Sequence, residues 1–121
     1  MRLTSVAGLA ALALAAACGS STYSSSGGGG GPGPSQVFLQ SSAFNPASRT
    51  VSAGTTVTWV NQDGYTHNVT YSSGPGTAFA GTLAGGASYA HQFTTAGTYE
   101  YYCTIHGTPT SGMHATVVVT P

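Results

Sequence analysis

The sequence predicts an all-β fold, an antiparallel β-sandwich forming one domain over residues 36–121, and three observations point to it. Apolar and polar residues alternate in period two along several short runs, with no competing helical period. Glycine-bearing turn signals separate those runs. Seven Tyr, four Phe and one Trp stand among Ser, Thr and Gly, a mixture that fits pleated strands and tight turns.

Taken in order, the expected strands are Gln36 to Gln40, Thr55 to Asn61, His67 to Tyr71, Ala87 to Phe93, Thr98 to Cys103 and Met113 to Thr120. The turns between them are marked by Ala53-Gly54, Asp63-Gly64, Gly74-Pro75-Gly76, Gly85-Gly86 and Ala96-Gly97. Ahead of the domain, Met1 to Ala17 carries one early cation, Arg2, an apolar run and a small-residue end, which reads as an export signal. It is too short to span a bilayer. Cys18 follows directly, in a context like a lipoprotein cleavage site, and is the expected point of lipidation. Residues 18–35 are rich in Gly, Ser and Pro and are read as a tether of on the order of 20–25 Å if random coil. An exported protein held at the membrane of the cell envelope is the expected location.

Charge narrows the function. The chain has two Lys or Arg and two Asp or Glu, so it offers no basic face to a phosphate backbone, and nucleic acid is excluded as a partner. Long-range electrostatic steering is weak for the same reason.

The two cysteines are the chemically informative residues. A Cys18–Cys103 disulfide is conceivable, but lipidation of Cys18 leaves Cys103 alone, and a bare thiol outside the cytoplasm is prone to oxidation. Metal ligation protects such a thiolate. Cys103-Thr104-Ile105-His106 and the nearby Gly112-Met113 place thiolate, imidazole and thioether in one stretch. Alternation tests whether they converge: Tyr99, Tyr101 and Cys103 share one strand face, as do Met113, Ala115, Val117 and Val119. His67 shares a face with Val69 and Tyr71 and stands just after the Asp63-Gly64 turn. Four donors, His67, Cys103, His106 and Met113, can therefore meet at one end of the sandwich. Two imidazoles, a thiolate and a weak thioether suit one copper ion cycling between Cu(I) and Cu(II); zinc more often takes a further cysteine or a carboxylate.

With these residues in view, the sequence resembles the plastocyanin-like cupredoxins, through Thr58-Trp59-Val60-Asn61, His67-Asn68-Val69, Tyr101-Tyr102-Cys103-Thr104-Ile105-His106 and Gly112-Met113. The resemblance covers roughly residues 36–120. It implies a Greek-key sandwich, a mononuclear type 1 copper site, and single-electron exchange with redox partner proteins through the surface around His106. It also implies that Asn68 clamps the two ligand loops near the Cys103 sulfur. In one respect the sequence departs from the family: Met113 follows His106 at a longer spacing than plastocyanins or amicyanins use. A monomer is expected.

Other histidines and aromatics are read as structural. His114 shares the outward face with Thr116; His91 shares a face with Tyr89 and Phe93 and is expected to be partly buried and hydrogen-bonded; Trp59 is a core residue. An enzyme of this type needs a further copper centre with more histidines, so no catalysis is expected. The rival reading, copper storage or delivery in the cell envelope, usually calls for several exposed Met or His residues, and beyond Met1 the chain has Met113 alone.

Overall fold

A computed structural model describes residues 31–121, within which Pro32–Pro121 forms one compact unit. The export signal, Cys18 and most of the tether lie outside the described residues. Among the described residues nine strands follow one another: β1 (Gln36–Gln40), β2 (Ala43–Asn45), β3 (Ser48–Ser52), β4 (Thr55–Asn61), β5 (His67–Ser73), β6 (Ala80–Leu83), β7 (Ser88–Phe93), β8 (Gly97–Thr108) and β9 (Ser111–Thr120). They build a four-stranded sheet in the order β2-β1-β4-β7 and a five-stranded sheet in the order β3-β9-β8-β5-β6. This is the all-β sandwich the alternation predicts.

Three strands go beyond the expected six. β2 follows Ser41 and Ser42, both in the left-handed region at φ 54° and 55°, a two-residue hairpin turn made without the usual Asn-Gly signal. In β3 only Val51 is buried, so its alternation is faint, and β6 is a four-residue edge strand. Five of the seven strand pairings are antiparallel; β1 with β4 and β3 with β9 are parallel. That differs from a purely antiparallel sandwich. The chain passes from the first sheet to the second between β2 and β3, so β3 reaches β9 as a crossover rather than as a hairpin.

Both sheets turn one face inward, and period two decides which residues go there. Val37, Leu39, Val57, Trp59, Val69, Tyr101 and Val117 are fully buried. Trp59 anchors an aromatic cluster: it meets Tyr101 edge to face at 5.4 Å, stacks on Phe79 at 5.8 Å, and lies 5.7 Å from Tyr89 and 6.2 Å from Phe93. Such pairs add to area burial and hold the sheets in one relative position. Arg49 donates from Nε and Nη2 to the Gln36 carbonyl at 3.2 and 2.7 Å, joining β3 to the start of β1.

His91 is half-buried but held by aromatic faces rather than by a hydrogen bond: it stacks on Phe79 at 4.7 Å and meets Phe93 edge-on at 4.8 Å. Burial pushes its pKa below the ordinary 6.5. The unfolded chain therefore takes up this proton more readily than the folded one, and stability falls as pH drops below about 6.5. Urea denaturation of the metal-free protein at pH 7 and pH 5 is expected to show a larger acid loss in the wild type than in His91→Phe.

Candidate metal centre

β5 delivers the first donor. His67 opens that strand with its side chain inward and fully buried, directly after the turn that carries the chain from β4 across to the second sheet. β8 and β9 deliver the others. Their antiparallel register runs Tyr102↔His114, then Gly107↔Gly112 and Thr108↔Ser111. Four residues, Cys103 to His106, thus face the single residue Met113, and the bulge turns Cys103 and His106 toward the same point. Cys103 is fully buried and free, Met113 is 2% exposed, and His106 reaches the surface.

The longer spacing before Met113 has a simple form. Gly107-Thr108 and Ser111-Gly112 continue the two strands past the bulge, and Pro109-Thr110 closes the hairpin. The added residues lengthen the tip without moving Met113 out of register with the bulge. Glycine is required at both inner corners. A Cβ on Gly107 would overlap the Met113 backbone, and Gly112 has φ 69° with the His106 carbonyl oxygen 2.8 Å from where its Cβ would stand. Gly112→Ala is expected to cost about 1–2 kcal/mol in chemical denaturation of the metal-free protein and to loosen metal retention.

Three donor atoms converge. His67 Nδ1 lies 3.1 Å from His106 Nδ1, and Cys103 Sγ lies 3.9 Å from the former and 3.8 Å from the latter. The point equidistant from the corners of a triangle with these sides is about 2.1 Å from each, within the span of metal–nitrogen and metal–sulfur bonds, about 2.0–2.3 Å. Among the described residues this is the one cluster of three or more His, Cys, Asp or Glu donors. His91 and His114 take no part in it.

Comparison with known proteins agrees with this geometry. Residues 37–120 match the family model of copper-binding proteins of the plastocyanin/azurin family. The chain belongs to that family. It is 42% identical over 85 residues to a plastocyanin of Scenedesmus fuscus, covering 63% of this chain and 85% of the relative. It is 34% identical over 77 residues to amicyanin-alpha of Methylorubrum extorquens, covering 61% of this chain and 65% of that relative. Among solved structures, a variant of amicyanin superposes with a TM-score of 0.60 at 34% identity, over 69% of this chain and 79% of the amicyanin. Copper, one ion, is the cofactor, and the cupredoxin architecture is that of the two-sheet sandwich described above.

Beside the donor atoms of this cupredoxin, Asn68 joins the start of β5 to the Cys103-Thr104 stretch of β8. Its backbone N–H donates to Cys103 Sγ at 3.4 Å, its Nδ2 donates to Thr104 Oγ1 at 2.8 Å, and its Oδ1 accepts from the Thr104 N–H at 2.9 Å and from the Thr70 hydroxyl at 2.9 Å. An N–H aimed at a thiolate stabilises its negative charge and fixes the sulfur in place.

Three supporting residues were not evident from the sequence. Asp63, expected only to mark a turn, accepts from His67 Nε2–H at 2.7 Å through Oδ2. Its carboxylate also accepts the backbone N–H groups of Ser41 at 2.8 Å and Ser42 at 3.1 Å. Burial alone would raise its pKa, but the hydrogen bonds from His67, Ser42 and Ser41 outweigh it and hold the carboxyl at about 2. Asn61, 1% exposed, donates from Nδ2 to the carbonyls of Tyr65, Leu83 and Ala84 at 2.8, 3.0 and 3.2 Å and accepts the Asp63 N–H at 2.9 Å. Tyr65, half exposed, lies edge-on to His67 at 5.0 Å and to His106 at 5.7 Å, with its hydroxyl 3.0 Å from Ser42 Oγ. One signal was available: an acidic residue four positions before a candidate ligand histidine.

Proposed function

We propose that this protein is a mononuclear type 1 copper carrier that passes single electrons between redox partner proteins outside the cytoplasm. The observation that carries the reading is the triangle of His67 Nδ1, Cys103 Sγ and His106 Nδ1, held ready at bonding distances around one point. Copper supplies the Cu(I)/Cu(II) couple there. The chain would keep the donors where both oxidation states tolerate them: Asp63 holds His67, the Asn68 amide holds the Cys103 sulfur, and Met113, buried on β9 opposite the bulge, would offer its thioether as a further donor.

Electrons enter and leave through His106, the exposed member of the cluster. Exposed Ile105 and Tyr65 flank it, and the rim lacks formal charge apart from the partly covered Asp63. Encounters with partners through this rim are brief and little affected by salt. Storage or delivery is the weaker reading, because Cys103 and His67 are both fully buried and cannot hand over a metal without opening the fold.

The location belongs to the same proposal. Met1 to Ala17 directs export, a lipid on Cys18 anchors the mature chain, and residues 18–35 give the copper domain reach. Cyclic voltammetry of the copper-loaded protein is expected to show one reversible one-electron wave; an irreversible wave, or metal lost on reduction, would refute a carrier. Detergent-phase partitioning of the expressed protein, lost in Cys18→Ser, checks the anchor.

A further inference from the structure

The chain contains only two acidic residues, and one of them is placed against a buried ligand ring. We propose that Asp63 is a positioning residue for the copper site: it selects the tautomer of His67 and strengthens that imidazole as a donor, which lowers the reduction potential. This rests on the reading of His67 as a copper ligand through Nδ1.

The geometry leaves little choice of tautomer. An ionised carboxylate can only accept, so the 2.7 Å contact between Asp63 Oδ2 and His67 Nε2 requires the hydrogen on Nε2. The Nδ1 lone pair is then the free one, and it points at the cluster, 3.1 Å from His106 Nδ1 and 3.9 Å from Cys103 Sγ. A carboxylate pulls on that proton harder than a neutral acceptor does. Electron density moves into the ring and the opposite nitrogen becomes a better donor. Higher donor strength favours Cu(II) over Cu(I). The effect is not diluted by solvent, because His67 is fully buried and the Asp63 side chain is 13% exposed on the relative scale.

The carboxylate is itself clamped. Ser41 and Ser42 each give one backbone N–H to it, and the Asp63 backbone N–H goes to Asn61 Oδ1. Both serines are in the left-handed region at the β1–β2 turn, where consecutive N–H groups form an anion-receiving concavity. The first sheet thus holds, through Asp63, a ligand that belongs to the second. An asparagine of the same shape could still accept from one of these N–H groups.

The test compares the full chain with Asp63→Asn and Asp63→Glu. Copper-loaded D63N is expected to keep its intense visible band, since Cys103 is untouched, while its relative affinity for Cu(I) over Cu(II) rises about tenfold, an upward shift of about 59 mV for one electron. D63E, which retains the carboxylate, is expected to return most of the way to the wild-type potential. Ring-nitrogen NMR of the metal-free wild type is expected to show His67 protonated at Nε2. An unchanged midpoint in D63N with the band intact, or a proton on Nδ1 in the wild type, overturns the proposal. Should D63N fail to fold, the wild-type tautomer and the D63E potential decide. A wild type that takes up no copper refutes the site reading, while the ring-nitrogen spectrum still reports on Asp63 and His67.

Discussion

Cys103→Ser is expected to abolish the intense visible absorption of the copper-loaded protein and to remove most of the stabilisation that copper confers. The absorption of such a site comes from charge transfer between sulfur and Cu(II), and Cys103 is the free thiol at the cluster. A serine hydroxyl is a harder, weaker donor that stays protonated at neutral pH, so copper held by the two remaining imidazoles gives at most a pale colour. Binding to the folded state stabilises it by about 2.7 kcal/mol when free ligand is a hundredfold above the dissociation constant, and a thiolate site retains copper far more tightly than that. Thermal denaturation with and without Cu(II) measures the difference: a large upward shift in Tm for the wild type and a small one for C103S. The metal-free proteins are expected to unfold at similar temperatures, because serine nearly conserves the volume of the buried thiol.

Asn61→Asp is expected to be the most damaging single-atom exchange in the domain. The Asn61 amide nitrogen serves the carbonyls of Tyr65, Leu83 and Ala84, and its oxygen takes the Asp63 N–H. An aspartate of the same shape aims a second carboxylate oxygen at three carbonyl oxygens in a buried place. The loss is on the order of 3 kcal/mol or more, against a total of about 5–15 kcal/mol for a domain of this size. The pH signature is diagnostic. Burial among oxygens raises the folded pKa of the new carboxyl above its unfolded value, so N61D is comparatively stable below about pH 4 and loses stability as pH rises toward its folded pKa. Wild type has no such loss in that direction. Because Asn61 shapes the loop that presents Asp63 and His67, copper uptake is expected to weaken in parallel, as titration calorimetry would show.

The parts of the molecule legible in the sequence are those governed by local rules. Alternation placed Tyr101, Cys103, Met113, Val117 and Val119 on inward faces, and each is buried. It also placed His67 inward at the start of its strand. Thiolate, imidazole and thioether stood in one stretch from Cys103 to Met113, and the register shows how the structure brings them together, with the four residues Cys103 to His106 facing Met113. What was not legible depends on which distant segments meet. β3 pairs parallel with β9 across most of the chain length, and nothing local to Ser48–Ser52 announces it. Asp63 acts on His67 within its own loop, yet its role needs the Ser41–Ser42 turn to clamp the carboxylate. His91 looked like a residue needing a hydrogen bond, but two phenylalanines from different segments enclose its ring.

A copper titration of the purified protein followed by visible absorption tests the central claim most directly. Intense absorption that rises linearly with added Cu(II) and stops at one equivalent per chain is the result expected of a His67–Cys103–His106 centre. No intense band, or one that keeps growing beyond one equivalent, would contradict it.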